Sequence, residues 1–241
     1  ILKQEDTRVL ICTHSNSAAD LYIRDYLHPS VEAGRVEARP LRVYYRYRWV
    51  QTVSHTIRQY CLTEDTGTHG ASFKVPTKAD LAEYRVVVTS LGTSRYLHNM
   101  GLEAGYFTHI LLDEAAQAME CETILPLALA GPYTRIVLAG DHMQLSPEVH
   151  SEFARDRNLH TSLLERMYEL YPQGNQCHIM LCENYRSHRA IIDFTSELFY
   201  GNKLVASGNQ PRHPLFYPLT FFTARGEDVQ HQNSTTFYNN A

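Results

Sequence analysis

Two adjacent acidic residues, Asp113 and Glu114, directly follow the apolar run at residues 110–112. In parallel sheets that bind nucleotides, the ligands gather at the carboxyl ends of the strands. An aspartate placed there can hold Mg²⁺, usually through water, beside the nucleotide phosphates. The neighbouring glutamate can polarise the water that attacks the terminal phosphate. The alternative interpretation is structural, with Asp113 capping a helix that begins at Ala115.

Two later positions extend this pattern. Gln144 follows the apolar run at residues 135–140, and its amide offers both a donor and an acceptor for contact with a terminal phosphate. The Gly-Asp pair before it is equally ordinary in a turn between a strand and a helix. Arg186 follows the apolar residues 178–182 and would act as an arginine finger if it faced a nucleotide held by another domain. Otherwise it is a surface residue.

Small polar residues form the turn after the first predicted strand. Ser15 and Asn16 lie between the apolar residues 8–13 and an amphipathic segment at residues 16–27. Backbone N–H groups and hydroxyls at the start of a helix form a phosphate site. The phosphate could belong to a nucleic-acid backbone, whose recognition requires no net positive charge on the protein. The alternative is an ordinary helix N-cap.

A segment at residues 39–49, RPLRVYYRYRW, interleaves arginines with aromatic residues. Aromatic stacking combined with basic contacts is typical of surfaces that bind single-stranded nucleic acid. The alternative is that the segment begins with a core strand and that its arginines lie at the edge of the sheet. We favour the core strand for Val43 and Tyr45, and both interpretations stay open for Arg46 and Arg48.

Short apolar runs alternate with amphipathic segments along the chain, which is typical of parallel strands joined by helices. The pattern predicts strands at residues 8–13, 41–45, 84–90, 107–112, 135–140, 178–182 and 219–223. It predicts helices at residues 16–27, 116–130, 159–170 and 189–200. Residues 47–82 are polar and irregular and indicate an insertion, although Thr77 and Asp80 have the spacing of a helix capping box. We expect a domain boundary near residues 172–176.

The composition limits the classes of protein to which the chain can belong. Its 241 residues are 44% hydrophobic and 20% charged, which indicates a globular fold without a bilayer-spanning stretch. The formal net charge of −4 gives nucleic-acid binding no general support, so such binding would require local geometry. The five cysteines are scattered and odd in number, which favours buried free thiols in a reducing compartment, the cytosol or nucleus, over disulfides or a zinc site.

Five segments of the chain, taken together and in order, resemble the motifs of superfamily 1 helicases, in the branch of the nonsense-mediated-decay helicase. The segments are THSNSAAD, VVVTSLGTSRYL, LLDEAAQ, LAGDHMQLSP and NYRSH. Within the branch, the amino-acid sequences of these segments are most similar to those of helicases that carry a zinc finger. The resemblance implies an α/β fold with a RecA-like parallel sheet flanked by helices, of the P-loop NTPase type. It implies a first domain at residues 1–172, with an insertion near residues 47–82, and the beginning of a second RecA-like domain at residues 177–241.

The resemblance also implies a role for each candidate residue. Asp113 would position Mg²⁺ through water, and Glu114 would activate the water that attacks ATP. The residues that would contact the γ-phosphate are Gln144 and Arg186. The residues that would grip single-stranded nucleic acid are Ser15, Asn16, Thr89 and Ser90.

The implied activity is that of the central part of an ATP-dependent helicase that moves 5′ to 3′ along single-stranded RNA, or DNA. The implied cofactors are ATP and Mg²⁺, and the implied setting is mRNA control in the cytoplasm, with the nucleus also open and no membrane partner. The family's Walker A loop, GxxxxGK[ST], does not occur in the chain, which begins at Ile1. We therefore expect a fragment that alone is inactive. The alternatives are a catalytically inactive RNA-binding or protein-interaction scaffold, and an NTPase that does not translocate.

Overall fold

The computed structural model describes residues 1–65, 67, 70–172, 174–211, 213–221, 223 and 225–230, and the backbone of residues 237–240. The chain forms two compact units, Ile1–His178 and Ile179–Ala241, and each is described by itself. In the described ranges, no helix is long and apolar enough to cross a membrane.

A five-stranded parallel sheet forms the centre of the first unit. The strands of this unit are β1 (Val9–Thr13), β2 (Pro40–Val43), β3 (Thr63–Asp65), β4 (Ala71–Phe73), β5 (Val86–Ser90), β6 (His109–Asp113) and β7 (Arg135–Leu138). The spatial order in the sheet is β2-β5-β1-β6-β7, and all neighbours run parallel. The predicted parallel sheet is therefore confirmed, together with each of its five predicted strands.

Both faces of the sheet are covered along β1, β2, β5 and β6, which explains why these strands are almost continuously apolar, whereas β7 is largely exposed. Side chains alternate between the two faces of a strand, so Leu10 and Cys12 enter one buried cluster, while Val9 and Ile11 enter the other. Burial raises the pKa of the Cys12 thiol, which therefore stays protonated. All five cysteines are free, but the predicted burial holds only for Cys12, and Cys121 and Cys177 are exposed.

The helices of the first unit join and flank these strands. They are α1 (Asn16–Leu21), α2 (His28–Glu32), α3 (His55–Arg58), α4 (Lys78–Ala82), α5 (Arg95–Asn99), α6 (Glu120–Leu127), α7 (Glu152–Arg155) and α8 (Leu163–Leu170). A π-helical segment, Tyr22–Leu27, connects α1 to α2 without a break. The predicted helix at residues 16–27 is confirmed and continues to Glu32. Short 3₁₀ helices span Val36–Ala38, Val50–Thr52 and Gly92–Ser94.

Residues 47–82 are more ordered than the polar sequence suggests. They contain a 3₁₀ helix, α3, the antiparallel pair β3–β4 and α4. The predicted capping box is confirmed, since the Asp80 N–H donates to the Thr77 hydroxyl and the Thr77 N–H donates to the Asp80 carboxylate. Hydrogen bonds from Lys74 and from the Thr77 backbone lower the pKa of Asp80 to about 2.

The second unit contains short elements. They are β8 (Glu183–Asn184), α9 (Arg189–Phe199), β9 (Val205–Ala206), β10 (Glu227–Gln230) and β11 (Phe237–Asn240). β8 pairs parallel with β9, and β10 pairs antiparallel with β11. The predicted helix at residues 189–200 is confirmed.

Two of the strand predictions are wrong. Residues 178–182 form no strand, and Ile179 and Leu181 are 78% and 84% exposed. Residues 219–221 and 223 also lie outside any strand, and Phe222 lies outside the described residues. An apolar run becomes a strand only where a partner supplies hydrogen bonds to its backbone.

Candidate nucleotide and nucleic-acid site

The predicted motifs of the first unit meet at one edge of the sheet. Parallel register places Thr13 level with Ser90 on one side and with Asp113 on the other. These three residues end β1, β5 and β6. We call this border of the sheet, with the turns that follow its strands, the carboxyl edge. The turns that carry Ser15, Asn16, Asp113 and Glu114 therefore lie side by side, as the sequence predicts for parallel strands.

Both oxygens of the Asp113 carboxylate accept a hydrogen bond. Oδ1 accepts from the Glu114 N–H at 2.9 Å, and Oδ2 accepts from the Tyr22 hydroxyl at 2.8 Å. Burial and the bond to Asp113 raise the pKa of Tyr22, so its hydroxyl stays protonated and donates. α6 begins at Glu120 with Met119 as its N-cap, which means that Asp113 caps no helix there. The capping interpretation and the predicted helix start at residue 116 are both wrong.

Glu114 has an unusual backbone conformation. Its φ is +56°, in the left-handed region that costs a residue with a side chain roughly 1–2 kcal/mol. The other described residues with a side chain and positive φ are Asn158 and Asn202, and asparagine tolerates this region well. Strain at a residue with a candidate catalytic role indicates that the surrounding structure imposes the conformation. The Ser15 hydroxyl also lies 3.5 Å from Glu114 Oε2, at the limit of a hydrogen bond.

The turn after β7 packs against the turn that follows Asp113. The Ala115 N–H donates to the Ala139 carbonyl at 2.9 Å. A Cβ on Gly140 would lie 2.9 Å from the Ala116 nitrogen, a distance that only glycine avoids. Beyond this contact, Gln144 is exposed, and its Nε2 donates to Asp141 Oδ2 at 2.6 Å. The structure thus brings the Gln144 turn beside the two carboxylates.

The residues at this edge suit a hydrated divalent cation. In the described ranges, no three His, Cys, Asp or Glu side chains converge on a potential metal position. Mg²⁺ commonly keeps several waters and uses one or two carboxylates together with substrate phosphates. Asp113 matches this pattern, because each of its oxygens has one donor and retains lone pairs. A cavity of about 390 Å³ opens beside Asp113 and Glu114, with a mainly apolar lining that includes Leu21, Tyr22 and Tyr26.

Ser15 is the N-cap of α1, as the structural alternative states. Its hydroxyl oxygen accepts a hydrogen bond from the Ala18 N–H at 3.1 Å. Asn16 follows as the first helical residue and is half-buried. Capping does not exclude a second contact, since a hydroxyl has one donor and two acceptor lone pairs.

Arg42, a residue that the sequence did not single out, holds the Asn16 side chain. The Arg42 side chain has no exposed surface. Its Nη2 donates to Asn16 Oδ1 at 2.8 Å, and its Nε donates to Asp20 Oδ1 at 2.8 Å. Its Nη1 donates to the Val43 carbonyl, and its guanidinium stacks 3.8 Å from the centre of the Tyr44 ring.

The chemistry of arginine fixes the orientation of the Asn16 amide. A guanidinium only donates hydrogen bonds, so the amide oxygen of Asn16 must be the atom that faces Arg42. The Asn16 NH₂ group is therefore turned away from Arg42, and it has no hydrogen-bond partner among the residues that the structure describes. Asp20 and Tyr22 were also not identified as site residues from the sequence, although their spacing from Asn16 and Ser15 could have indicated them. Asp20 lies one helical turn after Asn16, and Tyr22 lies two turns after Ser15.

The two candidates on β5 differ in accessibility. Thr89 has no exposed surface, and its hydroxyl donates to the Val43 carbonyl at 3.0 Å. The Ser90 hydroxyl donates to Thr93 Oγ1 at 2.9 Å, and Ser90 is 9% exposed at the carboxyl edge. Thr89 thus offers no side-chain surface to a ligand.

Arg186 belongs to the second unit. Asn184 Oδ1 accepts from the N–H groups of Arg186 and Ser187, which closes the turn after β8. The Arg186 side chain is exposed. Its predicted role as an arginine finger stays a prediction.

In the arginine-rich segment at residues 39–49, the buried and exposed residues differ in part from the prediction. Val43 is buried, as we favoured, but β2 ends there, and Tyr45 is 45% exposed. The buried aromatic residue is Tyr44, whose ring lies 4.7 Å from that of Phe73. The assignment of Tyr45 to the core was wrong by one position.

Comparisons with known proteins agree with this architecture. Residues 71–152 and residues 159–241 each match the AAA domain family. The whole chain is 69% identical to "Probable helicase with zinc finger domain" of Mus musculus and spans 12% of that protein's length. Over its full length, the chain is 45% identical to "3'-5' exoribonuclease HELZ2" of Mus musculus and spans 8% of that protein's length. It is 30% identical to "RNA helicase Mov10l1" of Mus musculus, with 98% of the chain aligned to 21% of that protein. The predicted likeness to zinc-finger helicases and the RecA-like sheet are confirmed.

The strain at Glu114 predicts that Glu114→Gly increases the free energy of unfolding by about 0.5–1 kcal/mol, since glycine relieves the left-handed strain at a smaller entropic cost. Urea unfolding measures this change. The matched control is Glu83→Gly, at an exposed position with φ of −72°, where glycine should decrease stability. A loss of stability at both positions would mean that Glu114 is unstrained.

The buried network predicts that Arg42→Met decreases the free energy of unfolding by about 3 kcal/mol, because the Asn16 amide oxygen loses its donor and Asp20 loses its charged partner and keeps only the Tyr44 hydroxyl as a donor. Chemical denaturation again measures the effect. Arg24 pairs with Asp25 at the surface and gives the control, since Arg24→Met should leave the midpoint unchanged. Equal effects at the two arginines would contradict a special role for Arg42.

Proposed function

The chain belongs to the superfamily 1 helicases with AAA domains, and we propose that it forms the central part of an ATP-dependent helicase that moves along single-stranded RNA, or DNA. The observation that carries this proposal is the fixed Asp113 carboxylate beside Glu114 at the end of β6. Phosphoryl transfer from ATP uses an acidic residue to hold Mg²⁺ and a second residue to orient the attacking water, and these two acids suit those roles. RNA is the preferred strand because one relative is named as an RNA helicase.

In the proposed reaction, the chain's residues position ATP and the attacking water. Mg²⁺, when bound, would neutralise charge on the phosphates. Asp113 would hold the waters of that ion, with its carboxylate oriented by Tyr22 and by the Glu114 N–H. Glu114 would accept the proton of the attacking water. Gln144 and Arg186 would donate to the γ-phosphate.

The nucleic-acid contacts are proposed for Ser15, Asn16 and Ser90 at the carboxyl edge. The NH₂ group of Asn16, turned away from Arg42, supports a hydrogen bond to a phosphate oxygen. Ser15 and Ser90 each have hydroxyl lone pairs or a proton to share. We leave the Thr89 side chain out of this set, because it is fully buried.

The biological setting is also a proposal. We infer a mainly cytoplasmic protein that acts in mRNA control together with protein partners. The free cysteines are compatible with a reducing compartment. The chain spans 12% of the length of its zinc-finger helicase relative, so the activity of the whole protein is part of this proposal.

A scaffold that keeps the helicase fold without catalysis is the second candidate. The intact set of Asp113, Glu114, Gln144 and Arg186 favours an active enzyme. An NTPase that does not translocate would differ by showing ATP hydrolysis that RNA does not stimulate.

The first functional prediction concerns hydrolysis. Because it contains no Gly-Lys-Ser or Gly-Lys-Thr, the 241-residue chain alone should neither bind ATP tightly nor hydrolyse it. A longer form that includes a GxxxxGK[ST] loop should hydrolyse ATP, and Glu114→Gln should slow it by about 10²–10⁴-fold. Phosphate release measures both rates. Strong ATPase activity of the 241-residue chain, abolished by Glu114→Gln, would contradict the prediction.

The second functional prediction concerns Asn16. Asn16→Asp keeps an acceptor for Arg42 but removes the NH₂ donor, so stability should be retained while affinity for single-stranded RNA falls about tenfold or more. Fluorescence anisotropy with a labelled oligonucleotide measures the affinity. Ser17→Asp, on the exposed next residue, adds the same charge without touching Arg42 and should have a smaller effect. Equal losses of affinity in the two variants would mean that the added negative charge, and not the missing NH₂ group of Asn16, weakens binding.

A further inference from the structure

Three aromatic side chains that follow β2 lie on the protein surface. Tyr45, Tyr47 and Trp49 are 45%, 73% and 76% exposed, whereas Tyr44 and Val50, at the two ends of the segment, are buried. We call the three exposed residues the aromatic face. Exposed apolar groups that lie together on a surface indicate an interaction site, and the rings of Tyr45 and Tyr47 are in contact.

The aromatic face adjoins the proposed nucleic-acid contacts. β2 and β5 are parallel neighbours with Val43 level with Thr89, so the chain leaves β2 at the same edge at which Ser90 ends β5. The Arg46 N–H lies 3.4 Å from the hydroxyl of Tyr96, a residue of α5 in the segment that follows Ser90. The face therefore extends the carboxyl edge beyond Ser90.

The arginines of the segment hold it in place. The Arg48 guanidinium lies 5.0 Å from the centre of the buried Tyr44 ring, which anchors the chain on its inner side. Arg46 pairs with Glu64 at 3.3 Å and lies 6.0 Å from the centre of the Tyr47 ring, with half of its side chain exposed. The rings of Tyr45 and Tyr47 meet edge to face, 5.5 Å apart. Tyr44 and Arg48 thus anchor the segment on its inner side, while Tyr45 and Tyr47 pack on each other and keep 45% and 73% of their surface exposed.

We propose that Tyr45, Tyr47 and Trp49 form a stacking platform for the bases of single-stranded nucleic acid. The platform rests on the proposed function, since its ligand is the strand whose phosphates Ser15, Asn16 and Ser90 would contact. Every base has a flat π face, so aromatic stacking binds a strand without selecting its sequence. A phosphate of the strand would compete with Glu64 for the half-exposed Arg46, which a neutral apolar ligand would not do.

The sequence provides a direct probe of this site, because Trp49 is the only tryptophan of the chain. A short single-stranded uridine oligonucleotide, labelled at one end, is titrated into the chain. Trp49 fluorescence should be quenched, with the same midpoint as the anisotropy of the label. Trp49→Ala and Tyr47→Ala should each weaken binding about tenfold, and Trp49→Phe should retain most of the affinity.

The matched control is Tyr133→Ala. Tyr133 is 95% exposed and precedes β7, at the opposite edge of the sheet, so its loss should leave affinity unchanged. Binding that leaves Trp49 fluorescence unchanged and tolerates Trp49→Ala would overturn the platform but not the proposed function. Absence of binding by both the chain and a longer form that contains it would overturn both. A fluorescence change that follows protein concentration instead of oligonucleotide would overturn the platform in favour of contact between copies of the chain.

Discussion

The buried guanidinium of Arg42 is the interaction on which the carboxyl edge depends. A charge without exposed surface is tolerated only when its hydrogen bonds are satisfied, and Arg42 meets this condition with Asp20, Asn16 and the Val43 carbonyl. These partners lie on the sheet and on the first turns of α1. The same contacts that satisfy the charge therefore fix the helix against the sheet and orient Asn16 towards the outside.

The helical segment that starts at Asn16 also touches the two acids of the neighbouring strand. Tyr22 donates to Asp113, and the Ser15 cap reaches Glu114. The segment that would contact a nucleic-acid strand is thus linked to the acids that would serve hydrolysis by the Tyr22–Asp113 hydrogen bond and by the 3.5 Å contact between Ser15 and Glu114. Tyr22 begins the π-helical segment, a local change of helical pitch that often occurs at functional sites. If nucleic-acid binding shifted this helix, the Tyr22 hydroxyl that donates to Asp113 would move with it.

The sequence predicts the parallel sheet and the order of its motifs because strong apolar runs and polar turn residues determine both. It does not predict the Arg42 and Tyr22 contacts, since these depend on how a helix is rotated against a sheet formed by distant segments. The start of α6 was misplaced because the left-handed turn at Glu114 leaves no signal in the residue type. The prediction placed Tyr45 in the core instead of Tyr44 because the alternation of strand faces stops where β2 ends at Val43.

The position of each strand in the sheet suits the task proposed for the residue that follows it. β6 is paired on both sides, by β1 and β7, so Asp113 ends a strand with little freedom to move. β7 is the last strand in the described sheet, and its Ile136 and Val137 are about half exposed. Gln144 therefore follows an edge strand that is more exposed than β2, the edge strand on the other side of the sheet. A residue that holds a metal ion benefits from rigidity, whereas a residue that responds to the presence of a phosphate needs room to change its contacts.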